Sequence, residues 1–148
     1  MPSPLQIKQI NYDSIEYKQA LRLRDLVLRQ PIGMSIYEDN LTGDISDIHI
    51  AASLDEEIVG TLILHPLSEK EMKMRQVAVN QARKGEGIGA KMVAFSEKMA
   101  INSGCKKMVL NARKVVVPFY QKLGYATVGE EFLEVGIPHF KMFRNLAE

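Results

Sequence analysis

Apolar and polar residues alternate along Leu5-Gln-Ile-Lys-Gln-Ile-Asn-Tyr12, the two-residue period of a short strand. Asp13 or Ser14 then offers a side-chain oxygen to cap a helix, whose apolar face is Leu21, Leu23, Leu26, Val27 and Leu28 and which runs to about Arg29. Pro31 is expected to end it, because proline pushes the preceding residue out of helical geometry. Residues 31–45 carry Gly33, Asn40 and Gly43 without a clear period. They read as a loop or short broken helix, and so as a segment free to face a substrate.

Ile45–Leu54 and Ile58–His65 form a hairpin about the acidic turn Asp55-Glu56-Glu57. Glu71–Val79 alternates Met72, Met74 and Gln76 with Lys73, Arg75 and Val77, and then enters a basic, glycine-rich turn. From that turn Ile88, Met92, Phe95 and Met99 recur at helical spacing until Gly104. Lys107–Ala112 is a short strand, so strand, helix and strand make a βαβ unit with parallel strands. Val115–Leu123 is a second helix, ended by Gly124, that tolerates Pro118 in its first turn. Tyr125–Glu134 and His139–Leu146 are strands separated by Val135-Gly136-Ile137-Pro138. Neither an internal repeat nor a low-complexity segment interrupts this order.

Composition narrows the function classes. At 148 residues, 46% hydrophobic and 25% charged, the chain fits one domain over 1–148 with a full apolar core. A net charge of +1 gives no global attraction to nucleic acid or membrane. No run of about 18 apolar residues spans a bilayer, and the opening Met-Pro-Ser-Pro-Leu lacks the apolar core of a secretion signal, so the expected location is cytoplasmic. Cys105 is the single cysteine, and His49, His65 and His139 are scattered, so neither a disulfide nor a metal site is expected.

The candidate chemistry begins at Gln76–Gly89, where an apolar strand, a glycine turn and a helix follow one another. Glycine lets a ligand approach the backbone, and the free N–H groups and positive dipole end of the helix start favour a phosphate oxygen. The spacing Gly85-x-Gly87-x-x-Ala90 also fits a loose dinucleotide fingerprint, which requires an acid about 20 residues on for the ribose hydroxyls. From Lys98 to Gly129 there is no acidic residue, whereas Lys98, Lys106, Lys107, Arg113, Lys114 and Lys122 are basic. A nicotinamide or flavin site is thereby disfavoured, and no Gly-Lys-Ser/Thr closes a nucleoside triphosphate loop.

Lys84-Gly-Glu-Gly87-Ile-Gly89 resembles the coenzyme A pyrophosphate loop, Gln/Arg-x-x-Gly-x-Gly/Ala, of the GNAT superfamily of N-acetyltransferases, with Lys84 in the Gln/Arg position. Asn111 at a strand end, followed by Phe119-Tyr120-Gln-Lys-Leu-Gly124-Tyr125, is similar to that family's Phe-Tyr-x-x-x-Gly-Phe helix. The ending Glu134-x-Gly136-Ile-Pro-His139-x-x-Met142 looks like that of small bacterial members. The resemblance implies an α/β (α+β) GNAT fold, a mixed central sheet of about seven strands flanked by helices. It implies acetyl transfer from acetyl-coenzyme A, as cosubstrate, to a primary amine of a small molecule or peptide, by direct attack in a ternary complex. The alternative is a binding module that senses acyl-coenzyme A without catalysis. A homodimer is expected by analogy alone.

On that resemblance, Val77, Ala78 and Val79 would hold the pantetheine arm like an added strand, and the Val79 N–H would face the thioester oxygen as an oxyanion donor. Backbone groups of Lys84, Gly85, Glu86, Gly87, Ile88, Gly89 and Ala90 would hold the pyrophosphate, with Arg83 and Lys84 adding charge, and Asn111 and Tyr120 would complete the cofactor site. Tyr120 is the expected general acid toward the leaving thiolate. Lys73 and Arg75 occupy positions where some members place a catalytic Glu, so the candidate bases are Glu134, His139 and His65. Cys105 is rejected as a nucleophile because it follows a helix C-terminus.

Overall fold

The strand Gln6–Ile10 (β1), the strands Ile48–Leu54 (β2), Glu57–Pro66 (β3), Glu71–Val79 (β4) and Lys107–Arg113 (β5), and the pair Ala126–Glu134 (β6) and Ile137–Asn145 (β7) make one sheet ordered β1-β2-β3-β4-β5-β7-β6. The computed structural model describes residues 4–146. The helices among them are Ile15–Arg24 (α1), Ile88–Asn102 (α2) and Val117–Lys122 (α3). β4 and β5 pair in parallel over Glu71–Met74 and Lys107–Leu110, as the βαβ reading requires, while β1–β2, β2–β3, β5–β7 and β6–β7 are antiparallel. The chain groups into two compact units. One runs to His65 and resumes over Gln76–Ser96; the other is Pro66–Arg75 together with the residues from Glu97 onward.

In the first unit Ser14 caps α1, its hydroxyl accepting the Tyr17 N–H at 3.0 Å. Pro31 does not end the helix. The α-helix passes at Asp25 into a π turn, Asp25–Arg29, then a 3-10 turn, Gln30–Ile32, and the terminator is Gly33 at φ 74°. Gln30 stays helical before the proline (φ −54°, ψ −41°) because its N–H bonds the Asp25 carbonyl and its side-chain amide donates to Asp25 Oδ2 at 2.8 Å. The extra residue of the π turn also rotates the apolar stripe. Leu21 and Leu23 are buried as expected, but Leu26 turns outward and is 53% exposed. Tyr17, Ala20, Leu21, Leu23 and Ile36 form a core cluster with Ala51, Ile58 and Ala78.

The hairpin turn is tighter than its acidic triplet suggested. Leu54 pairs with Glu57, leaving only Asp55 and Glu56 in the loop, both at positive φ (50° and 67°), the geometry that follows the twist of two strands. On β3, Gly60 has a packing reason. A Cβ there would lie 2.8 Å from Met92 Cε and 3.0 Å from Ile88 Cγ2, so glycine lets α2 settle on the strand. The buried stripe of α2 is wider than the 88, 92, 95, 99 series, since Val93 and Ser96 are buried whereas Phe95 is only half-buried.

The second unit is built on β5, β7 and β6, with Met108, Leu110 and Met142 buried. Its hairpin turn is Val135-Gly136, both at positive φ, and Ile137 and Pro138 already belong to β7. Tyr125 donates to Glu97 Oε2 at 2.8 Å, and Arg144 Nη1 donates to Glu97 Oε1 at 2.9 Å. Glu97 is thereby a paired, nearly buried carboxylate.

Candidate functional site

The glycine turn of the first unit has the geometry of an anion cradle. Asn80 Oδ1 accepts the Ala82 N–H at 2.9 Å and starts a 3-10 turn, Gln81–Arg83, and the Asn80 N–H donates to the Val59 carbonyl at 2.8 Å, fastening the turn to β3. Gly85 and Gly87 sit at φ 87° and 77°, and a Cβ on either would meet nothing within 4 Å, so the turn opens onto free space. The Gly87 carbonyl accepts the Lys91 N–H at 3.1 Å. The amides of Ile88, Gly89 and Ala90 thus precede the first intrahelical bond of α2 and have no intrahelical acceptor. Lys84, Gly85, Glu86 and Gly87 are exposed. Arg83 meets Glu86 at 3.8 Å, an exposed pair of little strength that does not remove its charge from the rim. The donor set, backbone N–H groups flanked by Arg83 and Lys84, fits a pyrophosphate.

The strand feeding this turn has one feature that alternation does not reveal. Gln76 sits at φ 55° within β4, two residues after the last parallel pair with β5 at Met74. A left-handed residue inside a strand is the backbone signature of a bulge. Beyond it Val77 and Val79 are half-buried, with Ala78 buried between them.

In the second unit Tyr120 is buried, edge-on to Phe119 (5.0 Å, 79°) and to Tyr125 (5.7 Å, 72°). Phe119 is the more exposed of the adjacent pair. Burial pushes the Tyr120 phenol above its ordinary value, so the hydroxyl keeps its proton throughout neutral pH but is a weaker acid than free tyrosine. The same unit gathers three residues chosen separately from the sequence. Asn111 Nδ2 donates to Glu134 Oε1 at 3.3 Å, and Glu134 Oε2 lies 3.4 Å from His139 Nε2. His139 is buried, and its Nδ1–H donates to the Ile137 carbonyl at 2.7 Å. With its Nδ1–H committed to a backbone carbonyl and only 5% of its side chain exposed, His139 flanks Glu134, whose side chain is 48% exposed.

His65, the remaining base candidate, has a partner no spacing suggested. Its Nδ1–H donates to Asp47 Oδ1 at 2.7 Å; the carboxylate is 2% exposed and the imidazole 43%. The segment leading into Asp47 folds as short 3-10 turns, Ile36–Glu38 and Thr42–Ile45, rather than as open loop. Asp25 Oδ1 accepts the Ile36 N–H at 2.8 Å, Arg29 grips Asp39 at 2.9 Å, and Asp44 Oδ2 accepts from Tyr17 Oη at 2.6 Å and Arg24 Nη1 at 2.7 Å. Met34, Tyr37 and Ile45 nevertheless stay exposed. Cys105 is buried and its thiol is raised by that burial, an environment that disfavours a nucleophilic thiolate. Among the described residues no cluster of three His, Cys, Asp or Glu could hold a metal, and no helix is long and apolar enough to cross a membrane.

Comparison with known proteins places the chain in a family. The family model "Acetyltransferase (GNAT) domain" matches residues 25–146. The chain is 36% identical over 74 residues to the uncharacterized N-acetyltransferase YjcF of Bacillus subtilis (strain 168), 49% of this chain and 53% of that one, so it spans about half the length of that relative. It is 31% identical over 113 residues to the protein ElaA of Escherichia coli (strain K12), 74% of this chain and 72% of ElaA. The crystal structure of ElaA is similar with a TM-score of 0.82 at 21% identity, over 96% of this chain and 100% of that one. A crystal structure of an aminoglycoside 6'-N-acetyltransferase complexed with coenzyme A is similar with a TM-score of 0.81 at 19% identity, over 97% and 98% of the two chains. The family match takes in the glycine turn, Asn111, Tyr120 and the β6–β7 hairpin, and on it the chain belongs to the GNAT acetyltransferase family.

Proposed function

We propose that the protein moves an acetyl group from acetyl-coenzyme A to a primary amine of a small molecule or peptide, by direct attack in a ternary complex. The observation that carries this reading is the open turn with Gly85 and Gly87 at positive φ, running into the amides of Ile88, Gly89 and Ala90, which have no intrahelical acceptor. In the proposal those amides, with Arg83 and Lys84, hold the pyrophosphate. Val77–Val79 lie along the pantetheine arm, the Val79 N–H donates to the thioester oxygen as charge develops there, and Asn111 contributes to the thiol end. The coenzyme A bound to the aminoglycoside 6'-N-acetyltransferase supports the choice of phosphate ligand.

Tyr120 is the proposed general acid, giving a proton to the sulfur as the carbon–sulfur bond breaks. Its raised phenol guarantees the protonated form, and a thiolate still gathering charge is the acceptor. Glu134, which accepts from Asn111 and lies beside His139, is the proposed carboxylate that receives the cationic amine. Tyr120→Phe should lower kcat by about 10²-fold while the Kd for coenzyme A moves by less than about twofold. An unaltered kcat would remove Tyr120 from the mechanism.

A second reading, an acyl-coenzyme A sensor, is favoured by one observation: Lys73 and Arg75 stand on β4 where some family members carry a catalytic Glu. Thiol release from acetyl-coenzyme A across a panel of amines decides between the two. Tight coenzyme A binding with no turnover on any amine would establish the sensor.

A further inference from the structure

The geometry points to Tyr125, held by Glu97 and Arg144, as the positioning residue of Tyr120, the acid proposed for the leaving sulfur; this rests on the acetyl-transfer reading above. A general acid works only while its proton stays aimed at one atom, and a misplacement of about 1 Å can cost about 10²-fold in rate. Among the described residues no hydrogen bond holds the Tyr120 hydroxyl, so the fold aims it through its ring and backbone. Tyr125 makes a contact of each kind. Its N–H donates to the Tyr120 carbonyl at 3.0 Å, and its ring stands edge-on to the Tyr120 ring, with centroids 5.7 Å apart and planes at 72°.

Tyr125 is itself fixed from two further elements of the same unit. Its hydroxyl donates to Glu97 Oε2 at 2.8 Å, and Arg144 Nη1 donates to Glu97 Oε1 at 2.9 Å, so the last turns of α2 and the end of β7 meet at the phenol that follows α3. Gly124 makes room for the arginine, since a Cβ there would lie 3.1 Å from Arg144 Nε and 3.4 Å from its Cζ. Aromatic packing requires none of this. A phenylalanine would fill the same place with no buried oxygen to satisfy, and the family's Phe-Tyr-x-x-x-Gly-Phe pattern has Phe there. In this chain the residue is tyrosine, 3% exposed, so its hydroxyl needs an acceptor, and the Glu97 side chain, 12% exposed, needs a cation. Three polar groups are thus matched around one ring. A fully satisfied network of this kind specifies one arrangement more strictly than apolar packing alone. None of the three has to meet a substrate, because each acts through Tyr120. The proton balance stays as proposed: the Tyr120 O–H bond breaks as the S–H bond forms, and the tyrosinate recovers the proton that the amine nitrogen sheds.

The test uses the full chain with acetyl-coenzyme A and three amines: n-butylamine, spermidine and a lysine-containing tripeptide. Tyr125→Phe keeps the ring and removes the bond to Glu97; kcat should fall about tenfold while the coenzyme A Kd holds within about twofold. Glu97→Ala should lose as much, and Glu97→Gln, which keeps one acceptor oxygen, should recover part of it. The double variant separates positioning from general stability. With Tyr120→Phe already in place, Tyr125→Phe should lower kcat by less than about twofold more, because the hydroxyl it aims is gone. Independently of turnover, NMR of ring-labelled tyrosine should give separate Hε resonances for a slowly flipping Tyr120 ring in wild type and an averaged one in Tyr125→Phe. An unaltered kcat in Tyr125→Phe, a full repeat of its loss in the double variant, or identical Tyr120 resonances in the two proteins would overturn this inference alone. No thiol release by wild type on any amine would overturn the acetyl-transfer reading and this one with it.

Discussion

The glycine turn at 80–90 and the segment at 30–45 are built in opposite ways. The turn is shaped by its own backbone: positive φ at Gly85 and Gly87, an Asn80 side chain bonding two residues on, a helix start immediately after. The segment is shaped by distant partners. Its course is set by Asp25 on the Ile36 N–H, Arg29 on Asp39, and Tyr17 and Arg24 on Asp44, across 10 to 27 residues of chain. In the acetyl-transfer proposal the cofactor half is thus encoded locally, whereas the segment expected to face the acceptor hangs on long-range polar pairs that can change without touching the glycine turn.

The strongest way to break that contrast is at Asp44. Asp44→Ala leaves Arg24, 4% exposed in its side chain, without the carboxylate it faces, while Arg24 Nε is already sealed without a partner. Stripping one member of a buried pair costs about 3–5 kcal/mol. Denaturant unfolding should show that loss, and Asp44→Asn, which keeps an acceptor for Tyr17, should show less. If the two regions are separately encoded, the molecules that remain folded bind coenzyme A with wild-type affinity in a calorimetric titration. A parallel loss of that affinity would show that the cradle depends on the segment.

The same contrast explains what the chain itself disclosed. The strands, α2, the glycine turn and Tyr120 rest on period, glycine and short motifs, all readable within about ten residues. The π turn at Asp25–Arg29 was not readable, because the bonds Asp25 makes to Gln30 and Ile36 override the proline signal. Asp47 was equally hidden: it lies 18 residues from His65, and only the β2–β3 register brings the two together. Glu134 and His139 were chosen singly as bases. The hairpin that makes them neighbours follows from a two-residue turn that the longer loop reading obscured.

Alkaline pH should act next in size, and unevenly. Burial raises the phenols of Tyr17, Tyr120 and Tyr125 above the usual value of about 10; hydrogen bonding to Asp44 adds to it at Tyr17, and to Glu97 at Tyr125. Below pH 10 each is neutral both folded and unfolded, so its contribution to stability is fully present. Above that, the unfolded phenol ionises while the folded one resists, and stability falls with rising pH until the folded group titrates too. Unfolding free energy should therefore drop from pH 10 to 12, less steeply in Tyr17→Phe. The glycine turn contains no tyrosine, so an equal slope in wild type and Tyr17→Phe would mean that the Tyr17–Asp44 bond to the 30–45 segment contributes nothing to the alkaline loss.

The smallest effects give the sharpest comparison, because one substitution can be placed in both regions. Gly33 and Gly87 have nearly the same backbone, φ 74° and 77°, and a Cβ on either meets nothing within 4 Å. Alanine at each therefore imposes the same strain, about 1–2 kcal/mol for a left-handed residue, with no steric clash to confuse it. At Gly87 the chain relieves that strain by turning the first amides of α2, and the Kd for coenzyme A should rise about tenfold, the equivalent of about 1.4 kcal/mol. At Gly33 the strain falls on the end of the first helical run, ahead of Ile36 and Tyr37, so the coenzyme A Kd should hold within about twofold while KM for the amine rises. Equal shifts in coenzyme A affinity for the two variants would erase the distinction between a locally encoded cradle and a remotely encoded acceptor wall.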